Sequence, residues 1–180
     1  SEFTCLSDEE RLKGAEVVVE QVAGRVPVMI GTQGVCTAHA VMFSRHANAI
    51  GADAVIAMAP YLQKVDDEEL LLEYYRGISD AVDIPICVQN HERGSVLSAK
   101  TLARLVQEVE HVEYIKEETF PATHLLTQVK KLAGSKLKGV FGGAGGRYLL
   151  LEHPRGSAGQ MPGCHVTDVV VQLWNALEAE

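Results

Sequence analysis

The sequence predicts an α/β fold built on a parallel sheet, and two observations carry that prediction. Short apolar, β-branched runs recur about 20–31 residues apart, and each is followed by an amphipathic stretch with helix start and stop signals. Runs of this length with little polar alternation suit strands covered on both faces, as parallel strands are. Six such repeats in 180 residues imply right-handed crossovers within a single α/β domain over residues 1–180.

The elements follow in order. Ser7-Asp8-Glu9-Glu10 is a capping box, and Leu12, Ala15, Val18, Val19 and Val22 share one face before Gly24 ends the helix. Val26-Pro27-Val28-Met29-Ile30 is the first strand run. Thr37 is placed to cap a second helix stopped by Gly51, and residues 52–58 supply the second strand. Asp66 with Glu69 opens a helix ending near Asp83, ahead of the run Ile84-Pro85-Ile86-Cys87-Val88. Ser98 starts a helix through Leu102, Leu105 and Val109, and Val112-Glu113-Tyr114-Ile115-Lys116 follows as a strand. Pro121 suits a first helical position, Gly134 closes that helix, and residues 137–141 form the next strand. A weaker run, Ser157-Ala158-Gly159-Gln160-Met161, completes the series.

Two architectures fit this pattern: an open doubly wound sheet, and part of a (βα)8 barrel. The turn after the first strand, Gly31-Thr32-Gln33-Gly34, is too short for a dinucleotide fingerprint. A barrel needs eight units and typically about 250 residues, against six units here. Six units leave open strand edges and an exposed apolar interior, so the chain is expected to associate.

Composition excludes several functions. With 16 basic against 24 acidic side chains and a formal charge of −8, the chain lacks the basic stripe that nucleic-acid binding needs. No apolar run reaches the roughly 18 residues of a membrane span. Residues 1–4 carry no basic or apolar leader signal, and four scattered cysteines read as reduced core residues of a cytoplasmic protein. The seven histidines have no ligand spacing, so neither a metal nor another cofactor is expected.

In either architecture, chemistry belongs at the carboxyl ends of the strands. Lys116 stands there, on the face that alternation assigns to Val112 and Tyr114. Desolvation favours a neutral amine, which can attack a carbonyl and form a Schiff base. The competing reading is a lysine that snorkels to solvent or pairs with Glu117 or Glu118. Lys138, at the amino end of its strand, is the structural control. The run Gly142-Gly143-Ala144-Gly145-Gly146 lies between a strand and a helix. Its backbone N–H groups could cradle an anion, or the run could be a tight turn. The acidic cluster at residues 66–69 reads as a helix start complementing its dipole.

The chain resembles the dihydrodipicolinate synthase / N-acetylneuraminate lyase family of pyruvate-handling (βα)8 enzymes. The resemblance covers essentially all 180 residues. It rests on Glu2-Phe3-Thr4-Cys5-Leu6-Ser7-Asp8-Glu9-Glu10-Arg11, Val26-Pro27-Val28-Met29-Ile30-Gly31-Thr32, Gly51-Ala52-Asp53-Ala54-Val55, Pro60-Tyr61 and Asp83-Ile84-Pro85-Ile86. Tyr114-Ile115-Lys116-Glu117-Glu118 and Val140-Phe141-Gly142-Gly143 complete it. The resemblance implies the barrel, and it implies that Lys116 forms an imine with a 2-oxo acid. Gln89 stands where the family has a relay tyrosine, and Leu62 where a tyrosine often enters the neighbouring subunit. The family pattern places two strands and a carboxylate-holding loop before the segment matching Glu2-Phe3, and further helices after residue 177.

The resemblance thus implies a Schiff-base lyase, an aldolase or dehydratase acting on pyruvate, a short 2-oxo acid or a 2-oxo-3-deoxy sugar acid. Lys116 would be catalytic, with Thr32, Gln89, Gly142 and Gly143 lining the pocket. The partner would be a small 2-oxo acid, with neither nucleic acid nor membrane, and the protein a homodimer or homotetramer. The alternative is a catalytically degenerate 2-oxo acid-binding relative.

Overall fold

The computed structural model describes residues 2–179. Six parallel strands lie side by side in chain order: β1 (Met29–Gly31), β2 (Ala54–Met58), β3 (Ile86–Asn90), β4 (Val112–Glu117), β5 (Gly139–Gly142) and β6 (Gly159–Gln160). A doubly wound sheet reverses its strand order at a switch point. This order never reverses, and the sheet is part of a barrel.

The connecting helices are α1 (Asp8–Val22), α2 (Thr37–Ala49), α3 (Glu68–Ser79), α4 (Ala99–Glu108), α5 (Ala122–Ala133), α6 (Leu149–Glu152) and α7 (Thr167–Glu178). Successive helices from α1 to α6 contact one another along the outside of the sheet. The expected capping box is formed: Ser7 Oγ accepts from the Glu10 N–H, and Glu10 accepts from the Ser7 N–H. Such a cap contributes about 1 kcal/mol. Three starts shift by one residue. Cys36 rather than Thr37 is the cap of α2, Asp67 rather than Asp66 caps α3, and Pro121 precedes α5 instead of opening it. Helix α3 also ends at Ser79, short of Asp83, because the chain must turn before entering β3. The 66–69 cluster is more than a dipole complement, since Glu68 and Glu69 both pair with Arg104 of α4.

The core lies between the sheet and its helices. Val55, Ala57, Ile86, Val88, Val112, Ile115 and Val140 point outward into it and meet Leu72, Tyr75, Ile78, Leu102, Leu105 and Leu126. Of the four cysteines only Cys87 is buried; Cys5, Cys36 and Cys164 are exposed, so the core assignment holds for one of them. Lys138, the control, pairs at 2.6 Å with Glu113. His39 pairs with Asp8, and His46 reaches the Leu12 carbonyl, joining α2 to α1.

Candidate active site

Alternation along a strand decides which face each residue occupies. Met58, Gln89, Lys116 and Phe141 are successive register partners across β2 to β5. All four therefore belong to the concave face, opposite the core. The expectation that Val112 shares this face is corrected by the ladder. Val112 pairs with Ile86 and Tyr114 with the next residue, Cys87, so a register shift skips Glu113. Val112 turns into the core, while Tyr114 and Lys116 stay on the concave side. A bulge reassigns a side chain in this way without changing the strand.

A cavity of about 440 Å³ opens at the carboxyl ends of the strands. Lys116, Gln89, Glu118, Met58 and Gln33 line it, together with His91 and Arg93 from the loop after β3. Met161, Pro162, Gly163 and His165, the segment after β6, form a further wall. The Lys116 ammonium lies 3.3 Å from Glu118, and the two side chains are 15% and 8% exposed. Glu118 is held at both oxygens. The Gln89 amide donates to Oε2 at 2.6 Å, and the Ala144 N–H donates to Oε1 at 2.8 Å. Burial pushes the Glu118 carboxyl up, but the Lys116 charge and these two donors outweigh it, leaving the group below its ordinary range.

The predicted site residues fall into two groups. Lys116 and Gln89 meet at the cavity. Thr32 does not reach it: its side chain is fully buried on the helix side, where Ser44 donates to its hydroxyl at 2.9 Å. The adjacent Gln33 takes the cavity position, as alternation requires. Gly142 and Gly143 are buried and do not line the cavity themselves; Gly145 is the residue of the glycine run that does. A Cβ on Gly143 would collide with the Glu118 carboxylate, and one on Gly142 with Glu152 and Gln160. The glycine run does cradle an anion, but through the Ala144 N–H that anion is the protein's own Glu118. Ala144 adopts a left-handed φ of 49° to present it.

Sequence reasoning placed Glu118 only as an ion-pair partner of Lys116. The parity of residues 114, 116 and 118 along one strand was the signal for its place in the cavity. Glu117 points the other way, into the helix layer. There Asn90 donates to it at 2.9 Å and the Thr119 N–H at 2.7 Å, while burial raises its carboxyl above the ordinary range. No group of three or more metal-ligating side chains occurs among the described residues.

The model of the dihydrodipicolinate synthetase family matches residues 1–158. The chain belongs to this family. Among its relatives, the L-2-keto-3-deoxyarabonate dehydratase of Azospirillum brasilense is 37% identical over 166 residues, covering 91% of this chain and 54% of that protein. A probable 2-dehydro-3-deoxy-D-pentonate aldolase of Escherichia coli, YjhH, is 35% identical over 130 residues, covering 71% and 43% respectively. The crystal structure of YagE from E. coli in complex with pyruvate superposes with a TM-score of 0.89 at 27% identity, covering 99% of this chain and 61% of that one. The chain thus spans about half the length of the curated relatives it matches. No helix among the described residues is long and apolar enough to cross a membrane.

Proposed function

We propose that the protein is a Schiff-base-forming lyase of the dihydrodipicolinate synthetase family, acting on pyruvate or a short 2-oxo acid of the 2-oxo-3-deoxy sugar-acid class. The observation that carries this reading is the Lys116–Glu118 pair on the cavity wall, 3.3 Å apart. The two sugar-acid relatives, a dehydratase and an aldolase, support the substrate class.

The chemistry follows from the pair. Lys116 passes a proton to Glu118, and the freed lone pair attacks C2 of the 2-oxo acid. A proton passes from the attacking nitrogen to the former carbonyl oxygen, giving a carbinolamine. Glu118 returns its proton to that hydroxyl, water leaves, and a protonated imine remains. That imine accepts the electron pair when a bond to C3 breaks. In a dehydration, the Glu118 carboxylate removes the C3 proton, and the resulting enamine expels the C4 hydroxyl as water with the same proton. Gln89 cannot exchange a proton as a tyrosine would, so in this scheme Glu118 carries it. The Gln89 amide orients the Glu118 oxygen nearest Lys116. Water then hydrolyses the imine and releases the product.

The test is incubation with pyruvate, borohydride reduction and peptide mapping of the mass increase. Label is expected on Lys116 and not on Lys138 or Lys64, and it should vanish in Lys116→Arg. Label elsewhere, or undiminished label in that variant, sinks the mechanism. Label on Lys116 with no turnover of 2-oxo-3-deoxy acids favours the non-catalytic 2-oxo acid binder.

A further inference from the structure

Behind the cavity, on the helix side of the sheet, lies a second carboxyl that the proposed reaction does not use. Glu152, the last residue of α6, is 1% exposed. The Gln160 Nε2 donates to its Oε2, while Gln160 Oε1 is buried and has no hydrogen-bond partner among the described residues. A carboxylate offers only acceptors and leaves that amide oxygen unpaired; a protonated carboxyl has an O–H to give it. Both needs are met at once if acid and amide pair cyclically, N–H to one carboxyl oxygen and O–H to the amide oxygen.

We propose that Glu152 is a positioning residue that carries a proton and pairs with Gln160 as an acid–amide couple, tying β6 and the 161–165 cavity wall to α6. Among the described residues, the surroundings supply no cation to hold it ionised. On α5, Lys130 donates to the carbonyl of Gly156, Lys131 is exposed, and His124 meets Gln128. Next to α6, Arg155 donates to the Leu151 carbonyl at 2.5 Å and His153 meets Glu178 at 2.8 Å. β5 has no titratable residue. The charged group felt most is Glu118, and it is negative: burial raises the Glu152 carboxyl, and the Glu118 charge raises it further, against the Gln160 bond.

The couple matters because β6 is only two residues long. Its backbone ties to β5 through the Ala158 N–H to the Val140 carbonyl at 2.8 Å and the Met161 N–H to the Gly142 carbonyl at 2.9 Å. Gln160 adds a side-chain anchor one residue before Met161, Pro162 and Gly163 line the cavity. Gly142 leaves room for it, since a Cβ there would occupy the place of both partners. A neutral Glu152 adds no further negative charge behind Glu118, beside the Glu117 carboxyl of β4.

Two measurements on the full 180-residue chain test this. The infrared difference between wild type and Glu152→Gln at neutral pH should contain the carbonyl stretch of a protonated carboxyl, and Gln160→Met should shift that band. Absence of the band, or a band unmoved by Gln160→Met, overturns the proposal whether or not an imine forms. The second measurement rests on the proposed Lys116 chemistry: borohydride labelling with pyruvate as probe. Glu152→Gln, whose amide supplies both bonds, should label within about twofold of wild type and escape the wild type's decline at alkaline pH, whereas Glu152→Leu should lose about tenfold. A tenfold loss in Glu152→Gln with unchanged circular dichroism overturns the proposal. Failure of all labelling in wild type would count against the imine alone, and the infrared band would still decide the proton.

Discussion

On the helix side of the sheet, Val55, Val88 and Ile115 are fully buried in one continuous apolar layer. On the concave side, their neighbours in sequence, Ile56, Gln89 and Lys116, are each only part-buried, and polar groups share a layer with Met58 and Phe141. The same strands make both faces, so the difference lies in what covers them. Helices exclude water from one face and drive the hydrophobic contribution there. The other face keeps an aqueous cavity in which an amine and a carboxylate can be paired, oriented and still reachable.

The sharpest way to break this comparison is through the two lysines. Lys116→Arg is expected to abolish borohydride-trapped labelling by pyruvate completely, and Lys138→Arg, at the opposite end of the adjacent strand, to leave it unchanged. Equal effects would remove the distinction between the cavity end of the sheet and its base. Glu118→Gln comes next, with labelling slowed about 100-fold or more if the carboxylate moves the proton. Little change in apparent binding should accompany that loss. Gly143→Ala places a methyl group on the Glu118 carboxylate, and displacement of that group is expected to cost about tenfold or somewhat more.

Stability separates the faces differently. Ile115→Ala on the helix side should cost about 2–5 kcal/mol in urea melts, the range for emptying a packed core position. Ile56→Ala on the concave side should cost less than about 2 kcal/mol, because its side chain is part-exposed already. Similar costs would mean that the concave face is covered in solution. The smallest expected effect is electrostatic. Glu118 titrates lower in the folded chain than its ordinary value of 4.5. Its contribution to stability is therefore complete above that value and is lost as pH falls through the lower folded value. The stability gap between wild type and Glu118→Gln should narrow over that acid window; a gap that widens there contradicts the assignment.

All six strands and the main helices were legible because burial on two faces demands continuous apolar runs, and helix ends demand caps. Lys116 and Gln89 were legible because a strand's carboxyl end is a fixed place in a repeating pattern. Thr32 was misassigned by one residue: the strand end was located, but not its parity, and Gln33 faces the cavity instead. Val112 was placed on the wrong face because a bulge leaves no mark in an apolar run. Helix starts moved by one residue where two capping side chains stood side by side, as at Asp66 and Asp67.

By itself, then, the sequence determined the parallel α/β repeat, the place of Lys116 at a strand's carboxyl end and the glycine-rich turn after the fifth strand. Local pattern suffices for these, since strand periodicity, capping and turn chemistry act over a few residues. The tertiary structure alone decided that the Ala144 N–H of the glycine-rich turn meets Glu118, that Gly143 must lack a side chain, and that Glu152 meets Gln160 beneath Gly142. Those contacts join residues from different strands and helices, and their partners are set by register and packing, which no single stretch of chain encodes.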